Sequence, residues 1–192
     1  MTTNSPDPGA RNAPPAAPEP ALSRIRWVGF DVDGVMTDGG IILAADGTES
    51  KRFNSRDGHS LKLLARAGIR MAIITGRRSR VVELRAREVG IESLHQAAHD
   101  KLEVYLKILE EEGLAPEETA FAGDDMVDLP IMIRCGYAMA PADAAPEVLS
   151  RAHYVARSKG GRGAVRDMAE HLLRGKGLWE GLVGGYLRKD PS

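Results

Sequence analysis

Ile25-Arg26-Trp27-Val28-Gly29-Phe30-Asp31-Val32-Asp33-Gly34-Val35 starts as a short apolar run with a single charge and ends on two aspartates spaced two apart, then a glycine. A brief, β-rich, nearly uncharged run of this kind reads as a buried strand of a parallel sheet. In open α/β sheets ligands bind outside the carboxyl ends of the strands, which is where Asp31 and Asp33 fall. Two carboxylates this close repel each other unless a positive charge lies between them, and a hard divalent cation such as magnesium suits their oxygens. The same residues also suit a turn, because Asp-Gly is a common turn pair. Asp31-Val32-Asp33-Gly34-Val35 carries both readings, and the rest of the chain has to separate them.

The chain has 192 residues, enough for one α/β domain with a real core and too few for two large ones. Apolar residues make up 43% and charged residues 28%, the balance of a soluble globular protein. A net charge of −1 gives no electrostatic case for nucleic acid or for an anionic membrane. The single cysteine, Cys135, excludes an internal disulfide and a cysteine-based zinc site. No stretch reads as a membrane span. The first twenty residues hold six of the eleven prolines, so residues 1–23 are expected to be a disordered extension. They lack the basic start and apolar core of a secretory signal, which makes the cytoplasm the expected setting. The main domain is expected over residues 24–175, with residues 176–192 as a tail.

After the first strand, residues 41–44 and 48–53 read as a β-hairpin around an Ala-Asp-Gly turn, placed to act as a flap beside the aspartates. The chain returns through Asn54-Ser55-Arg56-Asp57-Gly58, read as a loop. Residues 59–67 follow as a helix closed by Gly68. Residues 69–74 form a second buried strand that stops at Thr75-Gly76-Arg77. A helix over 79–89, a weak strand over 93–96 and an amphipathic helix over 100–112 come next. The last is expected to bury Leu102, Tyr105, Leu106 and Leu109. Residues 119–122 form a further strand running into Gly123-Asp124-Asp125-Met126-Val127-Asp128, before a helix through Ile131 and Ile133. Two more short strands, 137–140 and 153–155, flank a short helix over 146–150. Gly160-Gly161-Arg162-Gly163 then leads into a helix over 164–174. This alternation predicts an α/β fold, a doubly wound and mostly parallel sheet with helices on both faces.

Four polar groups now stand at strand ends or helix starts: Asp31 with Asp33, Thr75, Lys101, and Asp124 with Asp125. In a parallel sheet these ends open on one edge. A carboxylate, a hydroxyl, an ammonium and a second acidic pair in one crevice suit phosphoryl transfer through an aspartyl-phosphate. The set resembles the haloacid dehalogenase superfamily, whose phosphatases carry Asp-x-Asp-Gly, then Thr or Ser, then Lys, then Gly-Asp-Asp-x-x-Asp. The resemblance implies that Asp31 is nucleophile and metal ligand. It makes Asp33 the general acid/base, with its carbonyl on the metal, and Asp124 a further ligand of Mg2+. Thr75, Gly76 and Lys101 would bind phosphate, with Asp125 and Asp128 in support.

The gaps from Asp31 to Thr75 and from Thr75 to Lys101 are too short for a folded cap domain. A capless member would use the hairpin and a neighbouring subunit to cover its site, and such members commonly form homotetramers. Closer still, the chain resembles the branch of 3-deoxy-D-manno-octulosonate 8-phosphate phosphatases. The matching stretches are Asp31-Val32-Asp33-Gly34-Val35, Phe53-Asn54-Ser55-Arg56-Asp57-Gly58, Ile73-Ile74-Thr75-Gly76-Arg77, Gly123-Asp124-Asp125 and Gly160-Gly161-Arg162-Gly163-Ala164-Val165-Arg166. That branch implies a phosphorylated sugar acid as substrate, in the making of a lipopolysaccharide sugar. The resemblance puts Asn54, Ser55, Arg56, Asp57 and Gly58 against the sugar and the Arg162 segment over this site or a neighbour's, and this sequence offers Arg56, Lys62, Arg77, Arg85 and Lys101 as cations for the carboxylate and phosphate. Lys62 and Arg85 lie on helices and read equally well as ordinary solvated charges. The alternatives are a phosphatase for another nine-carbon sugar acid, a phosphorylatable switch domain, and a non-catalytic oligomerisation domain. The order of the motifs, with the nucleophile first and the second acidic pair last, argues against a receiver-type switch.

Overall fold

The computed structural model describes residues 19–188. The elements run in the order α1 (Glu19–Arg24), β1 (Trp27–Phe30), β2 (Ile42–Leu43), β3 (Glu49–Ser50), α2 (Ser55–Arg66), β4 (Arg70–Ile74), α3 (Arg80–Val89), β5 (Ser93–His95) and α4 (Lys101–Glu112). They continue with β6 (Thr119–Ala122), α5 (Leu129–Met132), β7 (Tyr137–Ala140), α6 (Pro146–Leu149), β8 (Tyr154–Val155), α7 (Ala164–Gly175) and α8 (Trp179–Leu187). Six strands form one parallel sheet in the order β5-β4-β1-β6-β7-β8. The strand that carries Asp31 therefore sits inside the sheet, with Phe30 in register with Ile73 on one side and Ala122 on the other. That register brings the carboxyl ends of β1, β4 and β6 level. The predicted α/β class and parallel sheet stand.

Side chains alternate across the sheet. Val28 and Phe30 of β1 face a layer that includes Leu61 of α2, Val82 of α3 and Leu172 of α7. Trp27 of β1 and Phe121 of β6 face the other layer, with Tyr105 and Ile108 of α4, Ile131 of α5 and Val148 of α6. Each large side chain fully buried in this way contributes roughly 1.5–3 kcal/mol, so the sheet is the rigid body from which the loops hang. Among the described residues no helix is long and apolar enough to cross a membrane.

Several elements differ from the sequence expectation. The hairpin strands are only two residues long and form a separate antiparallel pair, with Ile42 opposite Ser50. The expected loop 54–58 is the cap and first turn of α2: the Asn54 side chain accepts from the backbone N–H of Arg56 and Asp57, and the helix begins at Ser55. Helix α4 buries Lys101, Tyr105, Ile108 and Leu109 while Leu106 is exposed, because the inward Lys101 sets the phase of the helix. Ile133 lies past α5 and is exposed. The expected disordered extension 1–23 is ordered at its end, where α1 packs on α7 and buries Leu22 against Gly175. Residues 1–18 lie outside the described residues. The tail after residue 175 carries α8, whose buried Trp179 ring lies under the guanidinium groups of Arg166 and Arg174.

Candidate active site

The peptide N–H of Asp31 donates to Ala122 O at 2.9 Å, so the aspartate is held by the neighbouring strand as β1 ends. The chain then turns tightly: the N–H groups of Val35, Met36 and Thr37 all point to Val32 O. Gly34 has φ +100°, and a Cβ there would lie 2.0 Å from Asp124 Oδ2. Only glycine lets this turn approach the loop after β6 so closely. Gly160 crosses on the other side, where a Cβ would meet Gly34 O at 1.8 Å. The glycine-rich stretch after β8 thus packs against the back of the Asp31 turn.

The loop after β6 is built around Asp128, which is fully buried. Its Oδ2 accepts from the backbone N–H of Asp124 at 3.0 Å and of Asp125 at 3.4 Å, while Asp125 accepts from Met126 N at 2.7 Å. Lys101 opens α4 behind an Asp100 cap, and its buried Nζ bridges Asp31 Oδ1 at 2.8 Å and Asp128 Oδ1 at 2.7 Å. Burial opposes the charge on Lys101, but the two carboxylates outweigh it and raise its pKa. Thr75, also buried, follows β4. Its N–H donates to His95 O, its carbonyl accepts from Ala98 N, and its Oγ1 accepts from Arg77 N at 3.5 Å.

Carboxylate oxygens of Asp31, Asp124 and Asp128 lie within 4.8 Å of one another. One lysine cannot neutralise three carboxylates. Burial, then the charge of Asp128, pushes the Asp31 pKa up to about 6. Burial, then Asp31 and Asp128, pushes Asp124 up to about 8. Asp124 Oδ1 is buried with no hydrogen-bond partner. An orphaned carboxylate oxygen inside a cluster of excess negative charge fits a bound hard cation, and an all-oxygen donor set favours Mg2+ over softer metals.

Asp31, Asp33, Thr75, Gly76, Arg77, Lys101, Asp124 and Asp125 all line one cleft of about 360 Å³. Ala98, His99 and Val127 complete the lining. Asp33 does not join the three clustered carboxylates through its side chain. It pairs with Lys51 Nζ at 2.5 Å, and Arg77 Nε lies 3.8 Å away. Lys51 was not singled out from the sequence. It has no motif around it, and its partner lies on the far side of the hairpin.

The other expected substrate residues do not line this cleft. Asn54 caps α2, Ser55 and Arg56 are exposed on its first turn, and Lys62 is exposed further along. Asp57 is buried and accepts from the backbone N–H of Gly163 at 3.2 Å and Arg166 at 2.8 Å, which makes it a cap for α7. Arg85 donates to Asn54 O at 3.0 Å and lies over the Phe53 ring. A Cβ on Gly58 would sit 2.2 Å from its Nη2, so Gly58 is where the Arg85 guanidinium presses on α2. Arg162 is exposed and pairs with Asp38 at 3.2 Å, at the foot of the hairpin. Of the expected substrate cations, Arg77 and Lys101 are in the cleft.

The sequence model of the haloacid dehalogenase-like hydrolases matches residues 55–136. The chain is 45% identical, over 162 residues, to the 3-deoxy-D-manno-octulosonate 8-phosphate phosphatase of Yersinia pestis, covering 84% of this chain and 87% of that protein. Among solved structures, a probable YrbI family phosphatase from Pseudomonas syringae superimposes with a TM-score of 0.88 at 42% identity, over 90% of this chain and 98% of the other. The 3-deoxy-D-manno-octulosonate 8-phosphate phosphatase of Moraxella catarrhalis, solved with a magnesium ion, a phosphate ion and a KDO molecule, superimposes with a TM-score of 0.86 at 32% identity, over 88% and 97%. With this coverage and this sheet-edge site, the chain belongs to the haloacid dehalogenase-like hydrolases, among the capless phosphatases these relatives represent.

Proposed function

We propose that this protein is a Mg2+-dependent phosphomonoester hydrolase acting on 3-deoxy-D-manno-octulosonate 8-phosphate, in the cytoplasmic synthesis of a lipopolysaccharide sugar. The observation that carries it is the convergence of Asp31, Asp33, Thr75, Lys101 and Asp124 on one cleft beside an orphaned, buried carboxylate oxygen. The relatives at 45% and 32% identity named for that phosphatase support the substrate.

Asp31 is the nucleophile: one of its oxygens bonds to phosphorus as the bond to the sugar oxygen breaks. Asp33 gives its proton to that leaving oxygen, then takes one from the water that attacks the aspartyl-phosphate. Inorganic phosphate leaves and both aspartates return to their starting state. Thr75 Oγ1, the Gly76 backbone and Lys101 hold the non-bridging oxygens. Asp31, Asp124 and the Asp33 carbonyl would hold Mg2+, which when bound neutralises charge and aligns the phosphate. Asp128 keeps Asp124 and Lys101 in place, with Asp125 turning the loop between them. Arg77 is the cation best placed for the sugar carboxylate, since a guanidinium can grip it in two places. The cleft is open, and the chain assembles as a homotetramer whose hairpins cover neighbouring sites.

Phosphate release with Mg2+ across a panel of phosphorylated sugars and sugar acids tests this reading, with Asp31→Asn alongside. Strong preference for the octulosonate ester, lost in the variant and on chelation, is expected. Preference for a nine-carbon sugar acid phosphate would move the substrate and keep the mechanism. No release from any ester would remove the phosphatase reading.

A further inference from the structure

Lys51 follows directly on β3, the return strand of the hairpin. Its side chain is only 1% exposed, with Nζ 2.5 Å from Asp33 Oδ1 and 3.4 Å from Glu49 Oε1. Burying an ammonium is expensive unless carboxylates surround it. The two that surround this one come from different segments, the turn after β1 and β3 itself. Lys51 does not line the cleft; it touches Asp33 directly and reaches Arg77 only through Glu49.

The two oxygens of Asp33 are in different situations. Oδ1 takes Lys51 at 2.5 Å and accepts from Thr37 Oγ1 at 3.4 Å. Oδ2 has the 3.8 Å approach of Arg77 Nε, and Asp33 and Arg77 both line the cleft. One oxygen is tied into the protein and the other is left for proton exchange. A short charge-assisted bond to Oδ1 restricts the rotation that would carry Oδ2 away from a bound ester. Glu49 braces Lys51 from behind, since it also accepts from Arg77 Nη2 at 3.4 Å and from Ser79 Oγ.

We propose that Lys51 is a positioning residue for this reaction: carried on the return strand of the hairpin, its ammonium holds Oδ1 of Asp33 so that Oδ2 faces the leaving-group oxygen. The proposal rests on the phosphatase reading above. As the bond between phosphorus and the sugar oxygen breaks, the Asp33 proton passes to that oxygen. A sugar alkoxide needs this proton, whereas p-nitrophenolate leaves without it. A misplaced Asp33 therefore slows the first turnover of the sugar ester and spares that of the aryl ester. General damage to the site slows both, and a disturbed Arg77 weakens binding of the sugar ester without slowing its chemistry at saturation.

First-turnover rates by rapid quench, with Mg2+ and each ester at saturation, decide it for wild type, Lys51→Met, Lys51→Arg and Asp33→Asn on p-nitrophenyl phosphate and 3-deoxy-D-manno-octulosonate 8-phosphate. Lys51→Met is expected to slow the sugar ester by about a hundredfold while the p-nitrophenolate burst keeps its amplitude and stays within about threefold in rate. Asp33→Asn shows the same selectivity, and Lys51→Arg recovers part of the loss. Equal losses on the two esters, or none on either, overturn the proposal. The burst amplitude counts folded sites. Should Lys51→Met give no burst, Lys51→Arg decides by whether its sugar-ester rate falls further than its aryl-ester rate. A wild type inert toward both esters would instead remove the phosphatase reading itself.

Discussion

Asp124 Oδ1 is buried without a partner while two further carboxylates stand within 4.8 Å of Asp124, so the folded protein carries an electrostatic cost there whenever no cation is bound. Burial and the charges of Asp31 and Asp128 raise the Asp124 pKa from 3.8 to about 8. Between those values the folded state holds a proton that the unfolded chain has released. Stability in chelator therefore falls as pH rises through that window. Thermal unfolding in chelator is expected to show a lower Tm at about pH 8 than at about pH 5, and Asp124→Asn is expected to remove much of that slope. The same variant should be more stable than wild type in chelator at neutral pH, yet lose most of the Tm gain that Mg2+ gives wild type. A variant that keeps the full Mg2+ gain would take Asp124 out of the metal site.

Asp31 and Asp124 are legible in the sequence because each sits at the end of an apolar run, and a parallel sheet puts such ends together whatever the loops do. Lys51 was not legible. It follows a strand of two residues, and the group it serves is reached only because the hairpin folds back. Asp128 was read as a support and turns out to be the fully buried centre of its loop, bonded to Lys101 and to two backbone N–H groups.

At the level of elements, α2 and α7 are clamped through Asp57. Its carboxylate accepts from Gly163 N and Arg166 N, one at each side of the start of α7. Gly163 has φ +113° and offers no side chain to cap the helix, so α7 takes its cap from α2 instead. Asp57→Ala leaves two N–H groups without that acceptor and is expected to cost roughly 2–4 kcal/mol. Urea unfolding measures it, and a loss well under 1 kcal/mol would mean that water replaces the carboxylate freely. The resemblance alone puts Asp57 against the sugar, through the family's equivalent loop. The overlooked signal was Asn54, an N-cap residue three positions before an acidic one and just ahead of an apolar helical pattern. The buried stripe of α4 departs from the apolar pattern for another reason. Lys101 points inward to reach Asp31, so residues 101, 105, 108 and 109 share a face and Leu106 does not. In α4 a charged residue with a buried partner decides the helix phase, which apolar periodicity cannot reveal.

For the whole molecule, the hairpin is the part that a single copy leaves unsupported. A two-stranded pair on its own is marginal in water. At its foot it is anchored by Lys51, by Glu49, and by Asp38, which pairs with Arg52 and Arg162. Its outer strand presents Ile41, Ile42 and Leu43 at 46%, 54% and 61% exposure. Three adjacent aliphatic side chains held in water on a short hairpin mark an interaction surface. Met126 and Val127 are also exposed, and Val127 lines the cleft itself. A second copy placing its hairpin there would cover apolar groups on both sides and narrow an otherwise open site. Ile42→Asp with Leu43→Asp puts two charges on that strand and leaves the anchoring ion pairs in place. Sedimentation is expected to show wild type as a tetramer and the double variant as smaller species with an unchanged circular dichroism spectrum. KM for the sugar ester is expected to rise more than kcat falls, because covering the site contributes to holding substrate. A double variant that remains tetrameric would place the assembly surface elsewhere, and a wild-type monomer with full activity would end the idea that one subunit covers another.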